Sequence, residues 1–405
     1  VRRLLLVLHR WAGLTIALFV TVAGLTGALL AHLDTIEGWS APAFAADRPA
    51  PAAGAMPLDP LVLRARAEAL SGGHVDVVRF DQPPHKPAVF YVEGVEGYDE
   101  LALDPWTGKP LGRRTWGVIS EGWVNLMPFV YRLHYSLGFD GWGTWLFGAA
   151  ALVWTVDCFF GAALTFPPSR TGRTSWWQRW GRAWTLRLPF RSAARRDMDL
   201  HRACGLWLWL ILLFFAWSSV GFNFWQVYNP AMTAITGTAD PREAQPSRAV
   251  PARPELSWAA ARAIADKHIA AIEARGIRVA RREVLIWDGA HAQWRMRIRM
   301  AGEPADSGHS DFAFHDADGS LAWSRLATGG ESRWVIESWW FGLHVAGIGG
   351  TPGRWFVTLV GLAVATLSIT GVAIWWRKRR ARRKHRPAGP MIGPVPQRRA
   401  EMGVR

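Results

Sequence analysis

Four histidines stand beside long apolar runs, and they come in matched couples. His201-Arg202-Ala203-Cys204-Gly205-Leu206 repeats His9-Arg10-Trp11-Ala12-Gly13-Leu14, and each opens an apolar stretch. Leu133-His134 and Leu343-His344 lead into two further stretches that align without a gap, so that Trp145 falls on Trp355, Gly161 on Gly371 and Phe166 on Trp376. Two imidazoles facing one another across an axis can bind a haem iron from both sides, an arrangement suited to electron transfer more than to oxygen binding. The expectation is one b-type haem on His9 and His201 and a second on His134 and His344. Arg10 and Arg202, each directly after a proposed ligand, could pair with haem propionates or simply anchor the chain at the headgroups. His32, 23 residues after His9, falls at the far edge of the first run and could replace one outer partner, although the repeat has Phe224 there. Taken singly, an interfacial histidine beside arginine is more often a headgroup contact; the pairing is what raises ligation above that reading.

Helices long enough to cross a bilayer must position these residues. Trp11–Ala31, Ala203–Trp225 and Trp355–Trp376 hold no charged residue, and Trp142–Phe166 holds only Asp157. At ~1.5 Å per residue about 20 such residues cross the hydrocarbon. The fold class expected is therefore membrane α-helical, with four transmembrane helices from a tandem repeat and two α+β modules outside. The boundaries are a first transmembrane helix at 4–33, a first module at 34–141, a second helix at 142–166, a basic loop at 167–202, a third helix at 203–225, a second module at 226–354, a fourth helix at 355–376 and a basic tail at 377–405. The first run exceeds a usual signal-peptide core and has an internal copy, so it reads as a retained helix. Asp157, the single charge within a span, reads as a neutral structural acid or a proton relay. Gly13, Gly24, Gly27, Gly148, Gly161, Gly205, Gly361 and Gly371 would let helix backbones or a porphyrin approach closely.

The net charge of +15 does not mark a nucleic-acid binder, because its distribution is that of a membrane protein. The N-terminus, the loop 167–202 and the tail 377–405 hold 23 of the 47 Lys and Arg but only three acids, Asp197, Asp199 and Glu401. By the positive-inside rule both termini and the loop are expected in the cytoplasm and the modules in the periplasm. The tail Arg377–Lys384 should lie on anionic lipid. Many of the 26 tryptophans flank the spans as an interfacial belt. The two cysteines, Cys158 and Cys204, both lie in spans, and no CxxC or CxxCH occurs, which excludes c-type haem attachment and cysteine-bound iron–sulfur clusters.

The two modules share a pattern. In the first, Leu58–Leu70 reads as a helix, followed by strands at Val75–Phe80, Ala88–Val92 and Leu101–Leu111 with a turn at Asp104–Gly108. In the second, Ser257–Ala274 reads as a helix capped by Ser257, followed by strands at Val279–Trp287 and Gln293–Met300 and a hairpin over Phe312–Trp323. Linkers 41–60 and 238–254 are rich in Pro and Ala. His74, His85, His268, His291, His309, His315 and His385 lie in soluble segments without metal-ligand spacing and read as surface or structural.

With these motifs in place the chain resembles the PepSY-associated transmembrane helix family. The likeness rests on Leu8–Leu14 with Gly24-Leu25-Thr26-Gly27-Ala28-Leu29-Leu30, on Leu200-His201-Arg202 with Gly205-Leu206, and on Leu343-His344 through Gly349-Gly350 to Thr370-Gly371 and Trp375-Trp376-Arg377. Tyr98–Leu111, with Leu103-Asp104-Pro105-Trp106-Thr107-Gly108-Lys109, looks like a PepSY module. The resemblance covers nearly the whole chain. It implies a multi-pass protein of the bacterial inner membrane, in a family often linked to iron acquisition, some of whose members are haem-containing reductases of ferric siderophores.

The expected activity is then haem-dependent electron transfer to a periplasmic ferric siderophore or similar iron chelate, which would release iron as Fe(II). Trp116, Trp123, Tyr131, Tyr135, Trp334, Trp339 and Trp340 could form an apolar face for the chelate. Gly347–Gly350 follows no strand and does not read as a nucleotide loop, so the donor would be quinol or a partner reductase. Two other readings stand beside this one: a non-enzymatic PepSY protein that binds or regulates a periplasmic protease, and a transporter. The sparse polar content of the spans counts against ion transport.

Overall fold

The computed structural model describes residues 1–139, 141–168, 174–245 and 253–384; His385 and the rest of the tail lie outside them. In chain order the principal elements are α1 (Arg2–Leu30), α2 (Pro60–Ser71), β1 (Val77–Arg79), β2 (Ala88–Tyr91), β3 (Glu100–Leu103), β4 (Pro110–Arg114), α3 (Leu126–Ser136) and α4 (Trp142–Thr165). They continue with α5 (Ala193–Trp207), α6 (Trp209–Asn223), α7 (Trp225–Thr236), α8 (Trp258–Glu273), β5 (Val279–Asp288), β6 (Gln293–Met300), β7 (Ser310–His315), β8 (Leu321–Arg325), α9 (Ser332–His344) and α10 (Gly350–Lys384).

Among the described residues α1, α4 and α10 are long and apolar enough to cross a membrane, and α5 with α6 forms a bent pair that would make a fourth span if counted as one. The continuous third helix expected over 203–225 is thus corrected. The pair turns by 73° at Leu208. No proline lies there; the break follows Gly205, and two indoles pull its flanks apart. Trp207 Nε1 donates to Trp184 O at 2.9 Å, while Trp209 Nε1 donates to Cys158 O at 2.8 Å on α4. His201 consequently rides on the amphipathic arm α5 and not on the apolar helix itself.

Apolar side chains of four helices meet in one core that includes Ile16, Val20, Ala150, Leu212, Phe215, Val360 and Val364. The closest crossing is between α1 and α10. A Cβ on Gly361 would lie 2.4 Å from Gly24 O, and one on Gly24 would lie 2.6 Å from Gly361 O, so only glycine at both positions permits the approach. Arg2 runs from the start of α1 to the carbonyls of Leu164 and Phe166, satisfying the C-terminal end of antiparallel α4.

Outside the bundle the helices form for local reasons. Asp59 caps α2 by accepting from Leu61 N, Pro60 supplies its first turn, and Gly72 ends it at φ +74. Ser257 caps α8 by accepting from Ala260 N, as its sequence suggests. The strands are found where alternation places them, but their grouping differs from two separate modules. β2-β3-β4 forms an antiparallel sheet around the expected turn, whereas β1 leaves that unit and pairs antiparallel with β5, giving a five-stranded sheet of order β1-β5-β6-β7-β8. Val78 pairs with Leu285, and Trp287 N and Phe80 N extend the ladder to Asp76 O and Glu283 O. A three-residue strand gains most by adding to an exposed edge, and β5 supplies that edge. The two modules are therefore stitched together by main-chain hydrogen bonds. Trp294, Met296, Ile298, Phe312 and Phe314 fill the larger core against α8.

Candidate functional site

The four paired histidines meet as two couples. The rings of His9 and His201 have centroids 6.1 Å apart at an interplanar angle of 55°, and those of His134 and His344 are 6.3 Å apart at 69°. Two imidazoles bound through nitrogen to one metal at about 2.0 Å from opposite faces would hold their centroids about 6.3 Å apart. Both couples have that separation.

The outer couple is brought in by helices that the histidines end. α3 and α9 descend from the modules, so that His134 Nδ1 lies 3.0 Å from Thr26 Oγ1 on α1 and His344 Nδ1 lies 2.7 Å from Ser218 Oγ on α6. Each hydroxyl already donates its proton to a carbonyl of its own helix: Thr26 to Val22 O at 2.6 Å, Ser218 to Phe214 O at 3.0 Å. The oxygens are therefore acceptors toward the rings, Nδ1 carries the hydrogen, and the Nε2 lone pairs are left for another partner. Thr26 and Ser218 hold equivalent places when His9 is aligned with His201.

The inner couple is anchored at the same ring nitrogens by different groups. His201 Nδ1 lies 3.0 Å from Leu367 O, which can only accept, and 3.3 Å from Thr370 Oγ1. His9 Nδ1 lies 2.9 Å from Asp157 Oδ1. The ring edges rest on glycines: a Cβ on Gly161 would sit 3.4 Å from His9 Cε1, and one on Gly371 would sit 3.2 Å from His201 Cε1. Gly27 has the same relation to His134 at 3.1 Å. Among the described residues no protein group hydrogen-bonds the Nε2 of any of the four. Paired imidazoles with anchored Nδ1 and unengaged Nε2, three of them edged by glycine, fit the axial ligation of a planar macrocycle. Measured along α1, His9 and Thr26 are 17 residues apart, about 25 Å, so the couples lie toward opposite ends of the bundle.

Buried ion pairs hold the two helices that deliver the outer couple. Arg333, fully buried on α9, bonds Glu337 Oε1 at 2.9 Å, Asn229 Oδ1 at 2.6 Å, Thr233 Oγ1 and Thr238 O, tying α9 to α7. Burial raises the Glu337 carboxyl, and the Arg333 guanidinium opposes that shift. In the first module Arg114 bonds Glu100, Glu37 and Val124 O, fixing the segment that enters α3. Removing one partner of such a pair leaves a buried charge uncompensated.

A cleft of about 660 Å³ opens beside the outer couple, lined among others by Phe222, Arg242, His309, Arg325, Trp334 and Phe341. Its aromatic floor is continuous with the couple, since Phe222 lies 5.1 Å from His344 and 4.7 Å from Phe341. Burial first, then the nearby Arg297 and Arg325, depress the His309 imidazole to about 4, so it faces the cleft neutral. Each arginine already has a carboxylate: Arg242 on Asp240, Arg325 on Asp311 and Asp240.

Other sequence-derived candidates are placed elsewhere. His32 does not join the outer couple; its Nε2 bonds Thr358 Oγ1 at 3.0 Å and its ring packs 4.8 Å from Trp355. Arg202 is engaged with Ala183 O, Thr185 O and Asp199, and Arg10 lies over Trp11. Of the aromatic residues suggested for a chelate face, only Trp334 reaches the cleft; Trp116, Tyr131 and Tyr135 cluster together, Trp340 packs on Phe214, and Trp123 and Trp339 are exposed. His74, by contrast, gains neighbours that sequence spacing hides. The bridge between His74 and Glu93 gathers their ligand atoms with those of Asp76 to within 4.8 Å of one another, on the surface. Residues missed at sequence level are Thr26, Ser218, Thr370 and the cleft group Phe222, Phe341, Arg242 and Arg325; alignment of the repeats at 26 and 218 carries a signal for the first two.

Spans, modules and paired histidines together define a membrane protein with two half-buried imidazole couples. The chain belongs to the family described as PepSY-associated TM region, which matches residues 6–378. No curated protein matches it.

Proposed function

We propose that this chain is a haem-dependent electron carrier of the bacterial inner membrane that reduces a periplasmic ferric siderophore or similar ferric chelate by one electron, so that iron is released as Fe(II). The observation that carries the reading is the pair of imidazole couples, each at a bis-axial separation and each with Nδ1 anchored, toward opposite ends of one bundle. Bound b-type haem would supply a one-electron couple at each position. His9 and His201 would hold the inner group, and His134 and His344 the outer one. Thr26, Ser218, Asp157 and the Leu367 carbonyl keep their rings in the metal-binding tautomer.

The cleft above the outer couple is where a chelate would lie, with Phe222 and Phe341 between it and His344. The reaction needs no acid–base group, only close approach. The clustered basic residues favour a cytoplasmic loop and tail and periplasmic modules, with Arg377–Lys384 on anionic lipid. Asp197 ties that side together through Arg196 and Arg377. Quinol or a partner reductase would be the donor.

The test is to purify the intact chain in detergent and record oxidised and reduced spectra with a pyridine haemochrome assay. Two b-type haems per chain are expected, one lost in His9→Ala/His201→Ala and the other in His134→Ala/His344→Ala. A chain that stays free of haem when haem is supplied in excess overturns the proposal and favours the protease-binding reading.

A further inference from the structure

Three of the four paired histidines hand their Nδ1 hydrogen to a neutral oxygen, and one does not. Thr26, Ser218 and the Leu367 carbonyl are uncharged acceptors; His9 alone faces a carboxylate, Asp157 Oδ1 at 2.9 Å. The difference is specific to one half of the chain. Asp157 aligns with Leu367, whereas the outer acceptors Thr26 and Ser218 align with each other. Asp157 is also buried, at 7% exposure, and is the one acidic or basic residue within the apolar stretch of α4. A lone carboxylate in that setting is costly unless a positive charge answers it, and among the described residues its carboxylate is bonded by the His9 ring alone.

From this asymmetry we infer that Asp157 is a positioning residue that makes the His9–His201 site the lower-potential member of the two, and so sets the direction of electron flow from the basic side of the bundle toward the modules. The inference rests on the proposed function. A carboxylate hydrogen-bonded to Nδ1–H makes the imidazole a stronger donor through Nε2, and its negative charge favours the more positive, oxidised state of a bound metal centre. Both effects lower the potential at the inner site. Neutral hydroxyl acceptors at the outer site give neither. An electron entering at the basic side would then pass downhill to the couple beneath the cleft.

The experiment is a spectroelectrochemical titration of the full-length, haem-loaded protein at one pH. It compares wild type, Asp157→Asn and Asp157→Leu, each also in a His134→Ala/His344→Ala background that retains the inner couple alone. Asn keeps the acceptor and removes the charge; Leu reproduces the residue of the other half. The lower of two midpoints should belong to the inner couple and rise in both variants by at least a tenfold change in the reduction equilibrium, 59 mV for one electron, while the higher stays. If Leu loosens His9 and haem is lost, Asn alone decides. An inner midpoint above the outer one, or unmoved in Asp157→Asn, overturns the inference and leaves the proposed function intact. A wild-type chain without haem defeats the proposed function instead.

Discussion

At the scale of residues, the behaviour of the paired histidines is set by groups that carry no conspicuous chemistry. An imidazole can ligate a metal through either nitrogen, and the partner of the other nitrogen decides which. Thr26 and Ser218 settle this because their protons are already engaged by carbonyls of their own helices. Thr26→Val should therefore remove the hydroxyl acceptor of His134 Nδ1–H at nearly unchanged volume. Haem affinity at the outer couple should fall about 10–100-fold with the inner couple unaffected, and Ser218→Ala should act alike through His344. Haem titration of the apoprotein with each couple present alone checks this; equal loss at both couples would mean that the hydroxyls act on folding instead. The histidines and their pairing were legible in the sequence, because matching motifs stand at matching distances from the apolar runs. Their acceptors were not, since serine and threonine recur throughout apolar helices merely as back-bonded side chains.

Helix and strand identity was likewise legible, and the relations between elements were less so. Uncharged runs and capping residues mark α1, α4, α8 and α10 well. The break at Leu208 escaped because no proline announces it; it follows from indole hydrogen bonds to residues distant in sequence, Trp184 and Cys158. The exchange of β1 into the second sheet escaped because alternation specifies a strand and says nothing of its neighbour. Glycine stripes were visible, but only contact separates a packing glycine from a bystander. Gly361 meets Gly24, whereas a Cβ on Gly13 would meet nothing within 4 Å. Gly361→Val should accordingly lower stability by about 1–3 kcal/mol, read as a reduced melting temperature in detergent, and Gly13→Ala should not. Equal tolerance at both sites would refute the close crossing of α1 and α10.

For the molecule as a whole, the two modules and the bundle form one mechanical unit. β1 links the sheets, Arg333 ties α9 to α7, and Arg114 holds the entry to α3, so each outer histidine is delivered by a helix anchored in a module. The cleft lies on that same side, against Phe222 and Phe341, while Asp197 and Arg377 pair at the other end. The conduit proposed above should move electrons across a sealed bilayer. Proteoliposomes containing the haem-loaded chain would enclose a ferric hydroxamate with ferrozine, and a membrane-impermeant reductant would be added outside. Ferrous–ferrozine colour should develop inside vesicles bearing the intact chain and fail in both His9→Ala/His201→Ala and His134→Ala/His344→Ala. Colour that develops equally in either double variant, or none with the haem-loaded wild type, would contradict the proposed conduit.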